Sequence, residues 1–236
     1  MKKITYLLYA VTAFFTTFTL SAAAQSEETR KVPGFNCITS EGPFNVQVKI
    51  GNSQSLRIAT SADVIKLIET VVKNDTLKIR FKDDLKPGQG NTAEAINIYV
   101  SAKSLTAIEK DGAGSITVDG TVVGKDLSMS VKGSGNIRAS VKSENLLATV
   151  NGSGTIRLGG DANDTKVAVS GPGVIDGSSL KTNDAAATIN GSGSVSFQAE
   201  QTIYADITGS GSVNYSGHAT IAESKTVGSG KIVKTN

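Results

Sequence analysis

From Ile108 onwards the chain alternates apolar and polar positions, and Gly-x-Gly interrupts the alternation at near-constant intervals. The interrupting units open at Gly112, Gly133, Gly152, Gly171, Gly191, Gly209 and Gly228. They close at Gly114, Gly135, Gly154, Gly173, Gly193, Gly211 and Gly230. Successive openings are 21, 19, 19, 20, 18 and 19 residues apart. Four places after each opening glycine stands a β-branched residue: Ile116, Ile137, Ile156, Ile175, Val195, Val213 and Ile232. Two places before it the five central copies carry Val131, Val150, Val169, Ile189 and Ile207, while the outer copies carry Lys110 and Thr226. Period-two alternation on both sides of the glycines predicts two strand segments per repeat, each with one buried face.

One short β-arc cannot bury its own apolar face, but copies laid on one another can. The pattern therefore predicts an all-β solenoid, with one turn per repeat and equivalent residues paired in parallel between turns. The β-branched positions become an internal stack, and Phe197 and Tyr215 become neighbours. An antiparallel meander is the competing arrangement, but one glycine unit per repeat supplies only half the hairpin turns it needs. The glycines mark the bends, where a Cβ would obstruct the backbone or the neighbouring turn.

Upstream, Phe44, Val46, Val48 and Ile50 alternate, and "SLRIAT", "TLKIRF" and "AINIYV" read as further strands. Val64, Leu67, Ile68 and Val71 predict a short amphipathic helix. The polar segment "DDLKPGQGNTA" reads as a loop. Residues 25–104 hold no GSG unit and are expected to start or cap the solenoid. Residues 105–236 form its repeats, and 25–236 is expected to be one domain. Lys231 and Lys234 fall on the last strand, where charge discourages edge pairing.

The first 24 residues read as a cleaved signal peptide: Lys2 and Lys3, an apolar stretch, then Ala22-Ala23-Ala24. No later apolar run is long enough to span a membrane. The leader holds five of the twelve aromatic residues, so the mature core must be aliphatic. Removing the leader's two lysines lowers the net charge from +3 to +1, which argues against a nucleic-acid partner. The single cysteine, Cys37, permits no internal disulfide and is read as a buried small apolar residue.

The spaced "V-x-G-S-G-x-I" repeats, the opening "GFNCITSEGPFNVQV" and the bridge "L-x-I-x-F … I-x-I-Y-V … L-x-x-I" carry a family resemblance. The chain resembles the putative auto-transporter adhesin, head GIN domain family of Bacteroidetes secreted proteins over nearly its whole mature length. The resemblance implies a right-handed parallel β-helix in the cell envelope. It carries over no catalytic or binding residues.

The glycine units fail as nucleotide or metal loops. A dinucleotide fingerprint needs a third glycine, and here that place holds Thr117, Arg138, Arg157, Asp176, Ser196 or Asn214. The aspartate of a calcium-binding repeat is replaced by Ile or Val. No cofactor or metal is expected. Paired carboxylates at catalytic spacing and Ser-His-Asp or metal-ligand patterns are absent, and the lone His218 lies in a turn. The candidate contact residues are Arg138, Arg157 and Asp176, on one outward ladder, with Tyr204 as an outward ring. The expected protein is an exported, non-enzymatic β-solenoid of the periplasm, outer-membrane surface or extracellular space. Its expected partner is a glycan, a surface polymer or another envelope protein. A carbohydrate-active β-helix enzyme and a passive structural protein are the alternatives.

Overall fold

The computed structural model describes residues 26–83 and 94–235. The expected signal peptide and most of the polar loop lie outside the described residues. The elements, in chain order, begin with strands β1 (Ser26–Arg30), β2 (Cys37–Glu41), β3 (Phe44–Ile50) and β4 (Ser55–Thr60). Helix α1 (Ala62–Ile65) precedes β5 (Ile68–Lys73), β6 (Thr76–Phe81), β7 (Ile96–Ala102) and β8 (Ala107–Asp111). The long strands β9 (Gly114–Gly133), β10 (Asn136–Gly152), β11 (Thr155–Ser170), β12 (Val174–Gly191) and β13 (Ser194–Gly209) follow. The last are β14 (Ser212–Ser216), β15 (Thr220–Gly228) and β16 (Lys231–Lys234).

The repeats build a β-solenoid. Each long strand bends around one turn and pairs in parallel with its neighbours on both sides. Parallel pairing at every turn excludes the meander. The segments that follow the glycines form a front sheet, ordered β7-β3-β9-β10-β11-β12-β13-β14-β16. Those that precede the glycines form a back sheet, running β6-β2-β8-β9 and on to β15. Ile137 pairs with Ile116 and Ile156, and the same register carries the stack through Ile175, Val195 and Val213 to Ile232. Val46 and Ile98 extend it at the other end. Phe197 lies opposite Tyr215 as the spacing predicts. These inward side chains, from Ile98 to Val213, are essentially inaccessible to solvent. Each contributes about 1.5–3 kcal/mol of burial.

Two different contacts keep the corners free of side chains. Gly152 has φ of +122°, and a Cβ there would lie 2.5 Å from the Gly133 carbonyl oxygen of the turn before. At Gly154 φ is ordinary, but a Cβ would sit 2.4 Å from Cγ1 of Val131. The second glycine therefore makes room for the inward valine of the previous turn. Backbone bonds then tie the corners together, as in Gly154 N–H to Gly133 O at 2.9 Å.

The N-terminal region supplies both a rung and a cap. Gly42 has φ of +121°, and its N–H donates to Asp111 O at 3.0 Å, so β2 and β3 form a degenerate first turn. The chain then leaves to build the cap and returns at β8 and β9, which pair with the other edges of β2 and β3. The cap consists of β1, β4 and β7, joined by antiparallel pairs, and the β5–β6 hairpin. Phe44 takes the place that a second glycine occupies in later turns and packs against Phe81, ring centroids 4.9 Å apart.

Two expectations need correction. The predicted helix is a single turn, and Ile68 and Val71 belong to β5. The run Ile68-Glu69-Thr70-Val71-Val72 is rich in β-branched residues, and Asn74 and Asp75 both have positive φ, which closes a two-residue hairpin. Cys37 is half-buried on the outer side of β2, because Ile38 and Ser40 take the inward places.

Lys110 occupies the inward position that Val131 and Val150 hold in later turns, and it is fully buried. Its ammonium donates to the carbonyls of Gly42 at 2.5 Å, Asp111 at 2.9 Å and Ser40 at 3.2 Å. At the first corner it thus reaches the Gly42 carbonyl in the role that the Gly154 N–H plays toward Gly133. Burial pushes its pKa down to about 8, against the raising effect of Asp111.

Candidate binding groove

The turns are not identical, and their differences shape a groove. β10 and β11 run in unbroken register from Asn136–Thr155 to Ser143–Ala162. β9 carries two extra residues between Thr117 and Thr121, and β12 carries one between Asp176 and Ser179. Bulges bend a strand and re-aim its side chains. Here they raise one wall on each side of two regular rungs. The trough between them has a volume of about 630 Å³ and is lined by Val118, Gly120 and Thr121 on one side and Asp176, Ser178 and Ser179 on the other.

Arg138 and Arg157 project along this trough. They are in direct register on adjacent rungs, so their backbones are about 4.8 Å apart. Arg157 Nε lies 3.8 Å from Asp176 Oδ2, and its side chain is 58% exposed. Asp176 Oδ1 accepts from Ser178 Oγ at 2.8 Å and more weakly from its N–H at 3.3 Å. Arg138 makes no hydrogen bond or ion pair with any of the described residues. Two like charges at this spacing repel, and a shared anion would offset the repulsion. Guanidinium groups bind carboxylate or sulfate oxygens in a bidentate manner.

The structure brings together Arg138, Arg157 and Asp176 as the ladder predicts, but not Tyr204. That residue lies on the back sheet, in register with Ala186 and Glu223, and is 48% exposed. It lines a separate cleft of about 220 Å³ with Asp206, Glu223 and Lys225. The glycines of the repeat line corners rather than the groove, apart from Gly120 and Gly159, which lie outside the Gly-x-Gly units. Sequence reasoning missed the bulge walls, yet their signal was present: the spacings of 21 and 20 residues fall at the two bulged turns.

Three ionisable side chains line the groove, Arg138, Arg157 and Asp176. Asp176 is the sole carboxylate among the residues that line it. His218 Nδ1 lies 2.8 Å from Glu200 Oε2, with Lys181 Nζ 3.8 Å from the other carboxylate oxygen. The hydrogen bond with His218, supported by Gln198, holds the Glu200 carboxyl below its ordinary pKa. Among the described residues no three His, Cys, Asp or Glu side chains cluster as metal ligands. No helix among them is long and apolar enough to cross a membrane.

Comparison with known proteins places this geometry in a wider set. The family model described as "Putative auto-transporter adhesin, head GIN domain" matches residues 34–219. No curated protein matches the chain. A crystal structure of a putative adhesin from Bacteroides fragilis superposes with a TM-score of 0.82 at 24% identity, covering 89% of this chain and 97% of that one. A putative lipid binding protein from Parabacteroides distasonis gives 0.71 at 23% identity, covering 90% and 97%. A putative adhesin from Parabacteroides merdae gives 0.70 at 18% identity, covering 90% and 96%. At these identities the likeness concerns the fold.

Proposed function

The chain belongs to the putative auto-transporter adhesin, head GIN domain family, and on that premise we propose that it is a non-enzymatic binding protein of the cell envelope whose front groove holds an acidic sugar. The observation that carries this reading is the in-register pair Arg138 and Arg157 between two bulge walls, with Arg138 unpartnered among the described residues. Hydroxyls of Thr121, Ser140, Ser178 and Ser179 surround the guanidinium groups and suit a hydroxylated ring. A carboxylated or sulfated sugar would meet both arginines, while Asp176 would position Arg157.

The experiment is a glycan array followed by calorimetry on uronate and sulfated disaccharides. The expected result is binding that weakens with salt and falls about tenfold in Arg138→Ala. Binding restricted to neutral sugars, or indifferent to loss of both arginines, would overturn the reading.

A further inference from the structure

The Arg138–Arg157 ladder does not begin at the repeats. In register, Arg157 pairs with Arg138, Arg138 with Thr117, Thr117 with Gln47, and Gln47 with Tyr99. Tyr99 in turn pairs with Arg57, whose guanidinium lies 4.2 Å from the Tyr99 ring centroid. One outward row thus runs from the cap into the solenoid, although its residues come from four separate parts of the sequence. A second groove of about 560 Å³ lies along the same row and includes Gln47, Lys49, Tyr99, Ser101, Thr117 and Asp119. β9 lines both grooves, with Thr117 and Asp119 in one and Val118, Gly120 and Thr121 in the other.

We infer that the two grooves are subsites of one track that takes a linear acidic polysaccharide laid across the strands, along the solenoid axis. The inference rests on the proposed function and extends it from a single acidic sugar to a chain. From Tyr99 to Arg157 the track crosses four strand spacings, about 19 Å. Four cations line it (Lys49, Arg57, Arg138 and Arg157) against two carboxylates, Asp119 and Asp176. Arg57 is engaged by Glu27 and by the Tyr99 ring. Lys49 and Arg138 have no ion-pair partner among the described residues. They stand two strands apart and two residues out of register, about 12 Å, a separation suited to acidic groups that recur along a sugar chain.

A polysaccharide fits this surface better than a peptide. Strands β7, β3, β9, β10 and β11 are paired on both edges here, so an extended peptide finds no free strand edge to join. The surface instead offers rows of side-chain amides and hydroxyls: Asn45, Asn97 and Ser115, then Gln47 and Thr117 beside the Tyr99 ring.

The test uses calorimetry on the mature chain with heparin-derived and polygalacturonate-derived oligosaccharides, from disaccharide to octasaccharide, with polyglutamate as a control. Affinity is expected to rise with length and level off once the oligomer spans the track. Lys49→Ala and Tyr99→Ala should each weaken the octasaccharide about fivefold while leaving the disaccharide within about twofold. Asp119→Asn should strengthen the octasaccharide, because it removes a facing charge. Arg138→Ala should weaken both lengths. Melting curves establish that each variant folds. Length-independent affinity, with no effect of Lys49, Tyr99 or Asp119 changes, would overturn the track while leaving the single-sugar site standing. Equal binding of polyglutamate would overturn the polysaccharide assignment. Failure of every oligosaccharide to bind would overturn the track and the proposed function together.

Discussion

At the residue scale, two positions that look unfit for their places show what the fold demands. A Cβ at Gly152 would collide with backbone, which has no side-chain freedom to move aside. Gly152→Val should therefore cost about 3 kcal/mol or more in chemical denaturation. Gly51 is the control: a Cβ there meets nothing within 4 Å, and Gly51→Ala should change stability by no more than about 0.5 kcal/mol. Lys110 is the other position. Its pKa falls from 10.5 unfolded to about 8 folded, so between those values the unfolded chain binds more protons. Stability should therefore rise as pH increases from about 8 to 10.5, with a slope below about 1.4 kcal/mol per pH unit, the limit for one proton. Lys110→Met should abolish that rise; an unchanged slope in urea titrations at pH 8 and pH 10 would refute the assignment. The glycines were legible in the sequence because they repeat. Lys110 was visible only as an exception, since nothing local announces the carbonyls of Ser40 and Gly42 that arrive from a distant segment.

At the element scale, period-two alternation was sufficient for the repeats and insufficient for the cap. In β9 to β13 the inward residues four places after and two and four places before an opening glycine follow from that offset, because each turn meets a neighbour of the same pattern. The cap lacks that constraint. Ile68 and Val71 fit a helical spacing, yet they pair across the β5–β6 hairpin, where tertiary packing and β-branched side chains outweigh a four-residue periodicity. The hairpin also offers a direct test. Asp75 has φ of +55° at the second turn position, where glycine is favoured. Asp75→Gly should stabilise the protein by up to about 1 kcal/mol, read as a higher melting temperature. The candidate groove was half legible. The offsets brought Arg138, Arg157 and Asp176 together. The walls come from inserted residues that alternation treats as noise, and the extension to Tyr99 passes through strands whose order in space is not their order in sequence.

At the scale of the whole molecule, the two ends differ. The N-terminal end is closed by the cap. At the other end β15 and β16 each pair on one side only among the described residues, and Ile221, Val227 and Val233 are 41–53% exposed. Three inward ladders become polar there: Ser224 follows Ala205, Thr226 follows Ile207, and Lys234 follows Tyr215, its ammonium 5.9 Å from that ring. A further turn laid on this end would have to bury those groups at a desolvation cost. The doubled-back first turn has a different consequence, in time rather than in space. Ile38 meets Ile108 across 70 residues, whereas Ile137 meets Ile156 across 19. Closing the longer loop costs about 1 kcal/mol more in chain entropy. A nascent chain must wait for β8 and β9 before β2 and β3 gain their second neighbours. The regular turns therefore close more cheaply than the first rung, and their pairing with one another does not require that rung to form first.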